Sequence, residues 1–365
     1  MKVHVVCRTS ELDWILGKIA RQLVRELEPM VQVSLGPKPD PSAHINHYVW
    51  YADFHGRTEP ATIGITHIDS PGKFELIQEQ LKSALAGVCL SSKHMEDLIH
   101  AGIPSNKLCY VNPSHDGIIA PKKLHIGITT RAYMPDPCKR EWMLEELTNR
   151  IDPVDFSFSI MGSGWDAIVQ TLRHREFGVA YYCNFNLEQY RAIVPTFDYY
   201  LYLGWDEGSM GLLDALHAGV KTIATSQGFH LDIKGGLTHP IDNLDSLVSV
   251  FVGIAQEKNA RTNSVRELTW PHYARKHLEI WEYLLSGQQS VGGSMYLDGL
   301  NSLLAGQRKD PAQGQAFRAE LEQIDQKRAE LQRQSVATTC HQENPRWLRQ
   351  PKQMLRRLLL HSQRS

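Results

Sequence analysis

Paired cysteines, long apolar runs and a surplus of either charge are all missing from this 365-residue chain. Its six cysteines (Cys7, Cys89, Cys109, Cys138, Cys183, Cys340) are scattered, with no Cys-x-x-Cys. That spacing excludes a disulfide framework or a cysteine zinc site and suits small buried hydrophobes in a reducing compartment. No stretch approaches the roughly 18 uninterrupted apolar residues of a spanning helix. The opening apolar run is broken by Arg8 and Glu11, which speaks against a signal peptide. The expectation is a cytoplasmic protein. Lysine and arginine total 39 against 40 aspartate and glutamate, a net charge of −1, so no basic excess calls for nucleic acid.

What is present is an ordinary globular composition, 42% hydrophobic and 22% charged, in a chain long enough for two cores. Short β-rich runs alternate with helix-period segments: "KVHVVC", "LDWILGKIARQLVREL", "VQVSL", "HINHYVWY", "TIGITHID", "KFELIQEQLKSAL", "GVCLS", "SKHMEDLIHAG" and "KLCYVNP". After Pro121 the pattern restarts with "LHIGITT" and runs through four more strands and five helices, ending at "NLDSLVSVFVGIAQ". Such alternation predicts βαβ units around parallel sheets buried on both faces. The expected architecture is α/β: two Rossmann-like doubly wound domains, 1–120 and 121–270, facing one another across a cleft. A helix over 271–287 follows, then a linker and helical basic tail over 288–365. Phe317, Leu321, Ile324 and Leu331 recur at heptad-like steps, in a run too short for a coiled coil.

Chemistry concentrates at "YLGWDEGSMGLLDALHAGVKTIA". In an open α/β sheet, ligands bind beyond the carboxyl ends of the strands. A strand ending at Gly204 therefore puts Asp206, Glu207, Gly208 and Ser209 at that edge. The helix starting near Met210 and Gly211 points its free N–H groups there, which suits a phosphate. Asp214 lies one turn on, among apolar neighbours where an unpaired charge is costly. Carboxylates beside an anion site make sense if they accept hydrogen bonds from hydroxyls, as a sugar and a ribose flanking a diphosphate would supply. A plain acidic helix start accounts equally well for Asp206 and Glu207.

"DEGSMGLLDALHAGVKTIATS" resembles the signature of family 4 glycosyltransferases of the GT-B fold (group 1 glycosyltransferases), in which two acidic residues with seven residues between them precede a small-residue helix. Asp206 and Asp214 have that spacing, and Glu207-Gly208 matches the family's Glu-Gly dipeptide. The family usually has Glu at both places, so either Asp206 replaces the first, or Glu207 does with a one-residue deletion. The resemblance implies that the first acid touches the donor sugar and that Asp214 touches the ribose. It extends over most of residues 1–287. "FSIMGSGW" is similar to the family's glycine-containing strand end, here Gly162. "ITHID" is similar to the strand whose His, here His67, faces the donor. "TWPHYARKHLEIWEYLL" looks like the helix that crosses back to the first domain. "IGITTRAYMPDPCKREWML" supplies Arg131 and Lys139 where the family has two basic residues, with Arg140 a rival for the second place. Two cations at a helix start would stabilise a departing nucleoside diphosphate; a solvated basic loop is the other reading. The chain departs from the family after its first strand, where "CRTSELDWILGK" has no glycine pair.

His44, His47 and His55 match no metal-ligand spacing, and no Asp-x-Asp is present, so no metal and no cofactor are expected. His47, Tyr48, Tyr51 and Asp53 read instead as the end of a strand, where they could contact acceptor. Asp69 or His67 would serve as base if the reaction inverts.

The resulting expectation is a metal-independent, retaining glycosyltransferase using a UDP- or GDP-linked sugar and a glycan, lipid-linked glycan or protein hydroxyl. A nucleotide-sugar epimerase on the same fold and a catalytically silent scaffold are the alternatives. The last 22 residues carry Arg346, Arg349, Lys352, Arg356, Arg357 and Arg364, no acid, and Leu355, Leu358 and Leu359 near one face. That pattern fits peripheral contact with an anionic inner-membrane face or self-association, or a disordered basic tail. Removing residues 343–365 is expected to spare turnover on a soluble acceptor while lowering binding to anionic vesicles, since each basic residue contributes about 1 kcal/mol near such a surface. Equal vesicle sedimentation of full and shortened chains would refute the membrane role.

Overall fold

The computed structural model describes residues 1–56, 60–132, 138–286 and 310–342, with side chains as far as 334 in the last segment. The linker over 287–309 and the basic tail beyond 342 lie outside the described residues. The chain divides into two compact units: residues 1–116 together with those from Leu268 onward, and residues 117–267.

The first unit begins with β1 (Lys2–Val6), α1 (Ile15–Leu27), β2 (Gln32–Gly36), β3 (Ile45–Tyr48), β4 (Ala61–Ile65), α2 (Pro71–Gln80), β5 (Ala86–Cys89), α3 (Ser92–His100) and β6 (Leu108–Tyr110). The second comprises β7 (Leu124–Ile128), α4 (Trp142–Leu147), β8 (Phe156–Met161), α5 (Asp166–His174), β9 (Gly178–Tyr182) and α6 (Leu187–Ile193). It continues with β10 (Tyr199–Tyr202), α7 (Met210–His217), β11 (Lys221–Thr225), β12 (His239–Ile241) and α8 (Leu244–Asn263). The chain then returns to the first unit with α9 (Trp270–Ser286) and α10 (Pro311–Gln342).

Each unit holds a six-stranded sheet, ordered β2-β1-β3-β4-β5-β6 and β12-β11-β10-β7-β8-β9, and every strand pair is parallel. Parallel strands need crossovers and are covered on both faces. Accordingly every residue of β3, β4, β5 and β10 is buried. The second sheet starts in its middle with β7, winds outward to β9, then reverses to β10 on the other side of β7. This is the Rossmann strand order, and it opens a crevice where β7 and β10 diverge at their carboxyl ends. β10 pairs with β7 at Tyr200 and Gly127. Gly127 is required there, because a Cβ would meet the Phe197 ring at 2.0 Å.

Late elements complete the first core. α9 contributes Tyr273, Ala274, Ile280 and Trp281, and α10 contributes Phe317 and Leu321. The heptad-like stripe of α10 is used only in its first half: Phe317 and Leu321 are buried, while Ile324 and Leu331 are 38% and 58% exposed. Gly314 lets this helix sit tight on α3, since a Cβ would lie 2.2 Å from the His100 carbonyl oxygen.

Beneath β3 and β4, Trp281 Nε1 donates to Thr62 Oγ1 at 3.0 Å, and Thr62 Oγ1 lies 3.0 Å from His47 Nδ1. His277 Nδ1 donates to the Tyr273 carbonyl at 2.9 Å, and its buried Nε2 has no hydrogen-bond partner among the described residues. Burial drives the His47 ring well below its ordinary range and brings His277 from 6.5 to about 4. Both are therefore neutral in the fold but protonate in the unfolded chain at ordinary pH values. Their contribution to stability is whole above about 6.5 and falls as the pH drops below it, for His277 down to about 4. His277 alone accounts for a loss on the order of 3 kcal/mol across that window. Urea unfolding at pH 7.5 and pH 5 is expected to show about 2 kcal/mol of this loss in the wild type and a smaller loss in His277→Leu. The same pH dependence in both would rule it out.

Candidate functional site

The crevice between β7 and β10 is built from its floor upward. Beyond β7, Thr129 Oγ1 lies 2.9 Å from Tyr200 Oη, and Tyr200 Oη lies 2.7 Å from Ser209 Oγ. This chain of hydroxyls ties the end of β7 to the start of α7. Gly211 permits the approach, because a Cβ there would meet Thr129 Oγ1 at 2.1 Å. On the other side, the turn after β8 presses on residues 130–132. Trp165 Nε1 donates to the Thr130 carbonyl at 2.7 Å, and the Ala132 amide donates to the Ser163 carbonyl at 3.0 Å. Gly162 has φ +135°, and a Cβ on it would fall 2.5 Å from the Thr130 oxygen. Gly162 thus acts on the backbone that carries Arg131, whose own side chain is exposed.

Arg131 and Lys139 line one small pocket with Thr130, Tyr202 and Gly204. Lys139 forms a salt bridge with Asp206, and Tyr202 Oη donates to the same carboxylate. The Gly208 amide completes the set at 3.1 Å. Burial raises the Asp206 carboxyl, but these hydrogen bonds and the Lys139 charge outweigh it and hold the group below the ordinary carboxylate value. The Tyr202 phenol is pushed up, first by burial and then by Asp206. Arg140 serves differently from Lys139. Its Nε donates to the Leu203 carbonyl at 2.7 Å and its Nη1 to the Asp242 carbonyl at 2.8 Å, and its guanidinium lies over Trp205. It clamps the end of β10 while adopting a φ of +50°.

The start of α7 is held in place by His230. The Ser209 amide donates to His230 Nε2 at 2.9 Å, so the His230 proton sits on Nδ1, facing the Thr225 carbonyl at 3.2 Å. The Leu212 amide bonds the Ser209 carbonyl, leaving the Met210 and Gly211 amides without a partner among the described residues. Gly208, at φ +118°, makes the bend; a Cβ would strike Phe229 and His230.

Two carboxylates face outward here. Glu207 is exposed and makes no side-chain hydrogen bond or ion pair among the described residues. Asp214 is also exposed, contrary to the expectation that apolar neighbours enclose it: on a helix whose buried face is Leu212 and Ala215, it falls on the outer side. Its partner is Tyr190 Oη at 2.8 Å, and Tyr190 stacks on Phe185.

The candidates in the first unit separate by exposure. His47 and Tyr51 are 2% and 1% exposed, so they are core residues and not surface contacts, as is Tyr48. Burial lifts the Tyr51 phenol to about 12. Asp53 is paired with Arg8 at 2.5 Å and has a nearly buried side chain. His67 and Asp69, beyond β4, stay accessible, with side chains 76% and 24% exposed. Among the described residues no group of three or more His, Cys, Asp or Glu side chains converges as a metal site would require.

Tyr202, Tyr190 and His230 were not singled out by sequence. Tyr202 and His230 look like ordinary strand and turn residues until the fold brings their polar atoms to the α7 loop.

No protein-family model matches this chain, and no curated protein matches it. Among solved structures it is similar to Anabaena HepE in complex with UDP and glucose, at 11% identity over 77% of this chain and 99% of that one, with a TM-score of 0.32. It is similar to sucrose-phosphate synthase from Thermosynechococcus elongatus, at 9% identity over 79% and 100% of the two chains, with a TM-score of 0.34. The lipopolysaccharide outer core galactosyltransferase WaaB is similar at 13% identity over 79% and 100%, with a TM-score of 0.32.

The hydrogen bonds distinguish Asp206 from Glu207 by stability. Asp206→Ala would leave Lys139 and Tyr202 without their shared acceptor and is expected to cost about 1–3 kcal/mol. Glu207→Gln should stay within about 0.5 kcal/mol of wild type, as surface changes do. Urea unfolding of the full chain measures both; equal stabilities would refute the assigned role of Asp206.

Proposed function

We propose that this chain is a glycosyltransferase of the GT-B kind, family 4-like, moving a sugar from a UDP- or GDP-linked donor to a hydroxyl on a glycan, lipid-linked glycan or protein. The observation that carries the reading is the Rossmann switch-point crevice of the second unit. There Arg131 and Lys139 share one edge with two outward carboxylates and with the Met210 and Gly211 amides, which have no partner among the described residues. Cations and amides suit a diphosphate; carboxylates suit the hydroxyls on either side of it.

In this reading the bond from the anomeric carbon to the diphosphate oxygen breaks and a bond to the acceptor oxygen forms. The hydroxyl proton leaves with the nucleoside diphosphate, and the sugar retains its configuration. Negative charge grows on the leaving oxygen as that bond lengthens, and Arg131, Lys139 and the amides of Met210 and Gly211 oppose it. Such groups lower the barrier because they act more strongly in the transition state than in the ground state. Asp206 holds the Lys139 ammonium in position. Glu207 is the carboxylate for the donor sugar, and Asp214, oriented by Tyr190, takes the ribose hydroxyls. The charge is absorbed by side chains and amides without a metal.

Arg131→Ala is the cleanest test, because the Arg131 side chain is exposed and its removal should leave the fold intact. Loss of a comparable preorganised donor costs roughly 10²–10³ in rate. Arg131→Ala and Lys139→Ala are each expected to lower kcat by about that factor for donor hydrolysis or transfer across UDP- and GDP-sugars, with donor affinity falling less, in EDTA as without it. Near-normal kcat in both variants would overturn the assignment.

A further inference from the structure

The second half of α10, where the apolar stripe is no longer buried, brings a guanidinium to the accessible carboxylate beyond β4. Arg328 Nη2 lies 2.7 Å from Asp69 Oδ2 and donates to the Asp69 carbonyl at 3.4 Å. Lys73, from α2, holds the other oxygen, with Nζ 2.7 Å from Oδ1. His67 Nε2 is 3.7 Å from Oδ2 and 3.4 Å from Lys73 Nζ. Asp325 stands behind Arg328 at 3.6 Å, and Tyr51 feels the Asp69 charge from the core side. Each oxygen of one carboxylate is thus gripped by a cation from a different helix.

The Arg328 side chain is 40% exposed, and a pair of this kind contributes at most about 1 kcal/mol. It is not what keeps α10 docked. Phe317 and Leu321 do that by burial, and Arg318 assists over the Phe74 ring. The consequence of the Arg328 contact falls on Asp69 instead. Desolvation lifts the Asp69 carboxyl, but Lys73, Arg328 and His67 together hold it below its ordinary value. A carboxylate so held is a fixed anion and a poor proton acceptor.

We propose that Arg328 is a positioning residue, through which α10 completes the acceptor-side edge of the first unit by fixing Asp69 beside His67. The acceptor side of this edge rests on the glycosyltransferase reading; the positioning of Asp69 does not. In that role Asp69 orients an acceptor hydroxyl by accepting its hydrogen bond and takes no proton from it.

The test uses the full chain without substrate, so it is independent of whether the chain transfers sugar. The Asp69 carboxyl carbon is titrated by ¹³C NMR in wild type, Arg328→Met, Arg328→Lys and Arg333→Met, with amide exchange followed over 66–70 and 314–321. Arg328→Met is expected to raise the Asp69 midpoint by about one pH unit and to speed exchange at 66–70 several-fold. Arg328→Lys should restore much of both, and Arg333→Met, an exposed control, should change neither. An unmoved Asp69 midpoint in Arg328→Met would overturn the proposal. So would faster exchange at 314–321 in that variant, which would make Arg328 an anchor of the helix.

Discussion

The salt bridge between Asp206 and Lys139 is the contact on which the second unit's sheet edge depends. It joins two loops that the strand order brings together from distant sequence, one after β10 and one before α4. Tyr202 and the Gly208 amide share the same carboxylate, so the bend into α7 and the placement of the ammonium are decided together. Ion pairs at a surface contribute little. This one is largely withdrawn from water and has its remaining lone pairs satisfied, the condition under which such a pair holds its geometry. The Thr129, Tyr200 and Ser209 hydroxyls and the His230 ring then fix the helix start from below.

The glycines at this edge are used by contact as much as by conformation. Gly211 and Gly127 are places where another side chain already fills the volume of a Cβ, and Gly162 and Gly164 are pressed against the backbone of residues 130–132. Together they let three strand ends and one helix start converge within hydrogen-bonding range. Any larger residue at Gly211 would push α7 off Thr129 and Tyr200 and move the Met210 and Gly211 amides.

The fold was legible because parallel strands buried on both faces announce themselves as unbroken apolar runs, and "DYYLYLG" and "TIGIT" read that way without ambiguity. The position of the α7 start was legible for the same reason, since a glycine and serine after an apolar run can only be a strand end. What each polar residue faces was not. Asp206 and Glu207 are adjacent and chemically alike, and only the three-dimensional position of Lys139 and Tyr202 turns one inward and leaves the other outside. Asp214 has apolar neighbours in sequence, yet helical geometry sends them to the opposite face. His47 and Tyr51 sit in a run of polar and aromatic residues that resembles a strand end, but α9, more than two hundred residues later, covers His47, and Gln80 of α2 bonds the Tyr51 carbonyl. Arg328 carried no signal at all, because its partner lies 259 positions away.

That last dependence bears on how the chain is made. The first unit is discontinuous: its sheet is finished at β6, but the side chains that seal it, Tyr273, His277 and Trp281, follow the whole of the second unit. At ribosomal speeds of about 5–20 residues per second, the completed sheet waits on the order of ten seconds or more for α9. During that interval the underside of β3 and β4, with Thr62 and His47, lacks its cover, whereas the second unit emerges contiguous and can close as it appears. The nascent chain therefore presents an unsealed parallel sheet beside a folding neighbour, and this is the stage of its biogenesis at which a chaperone would have apolar surface to hold.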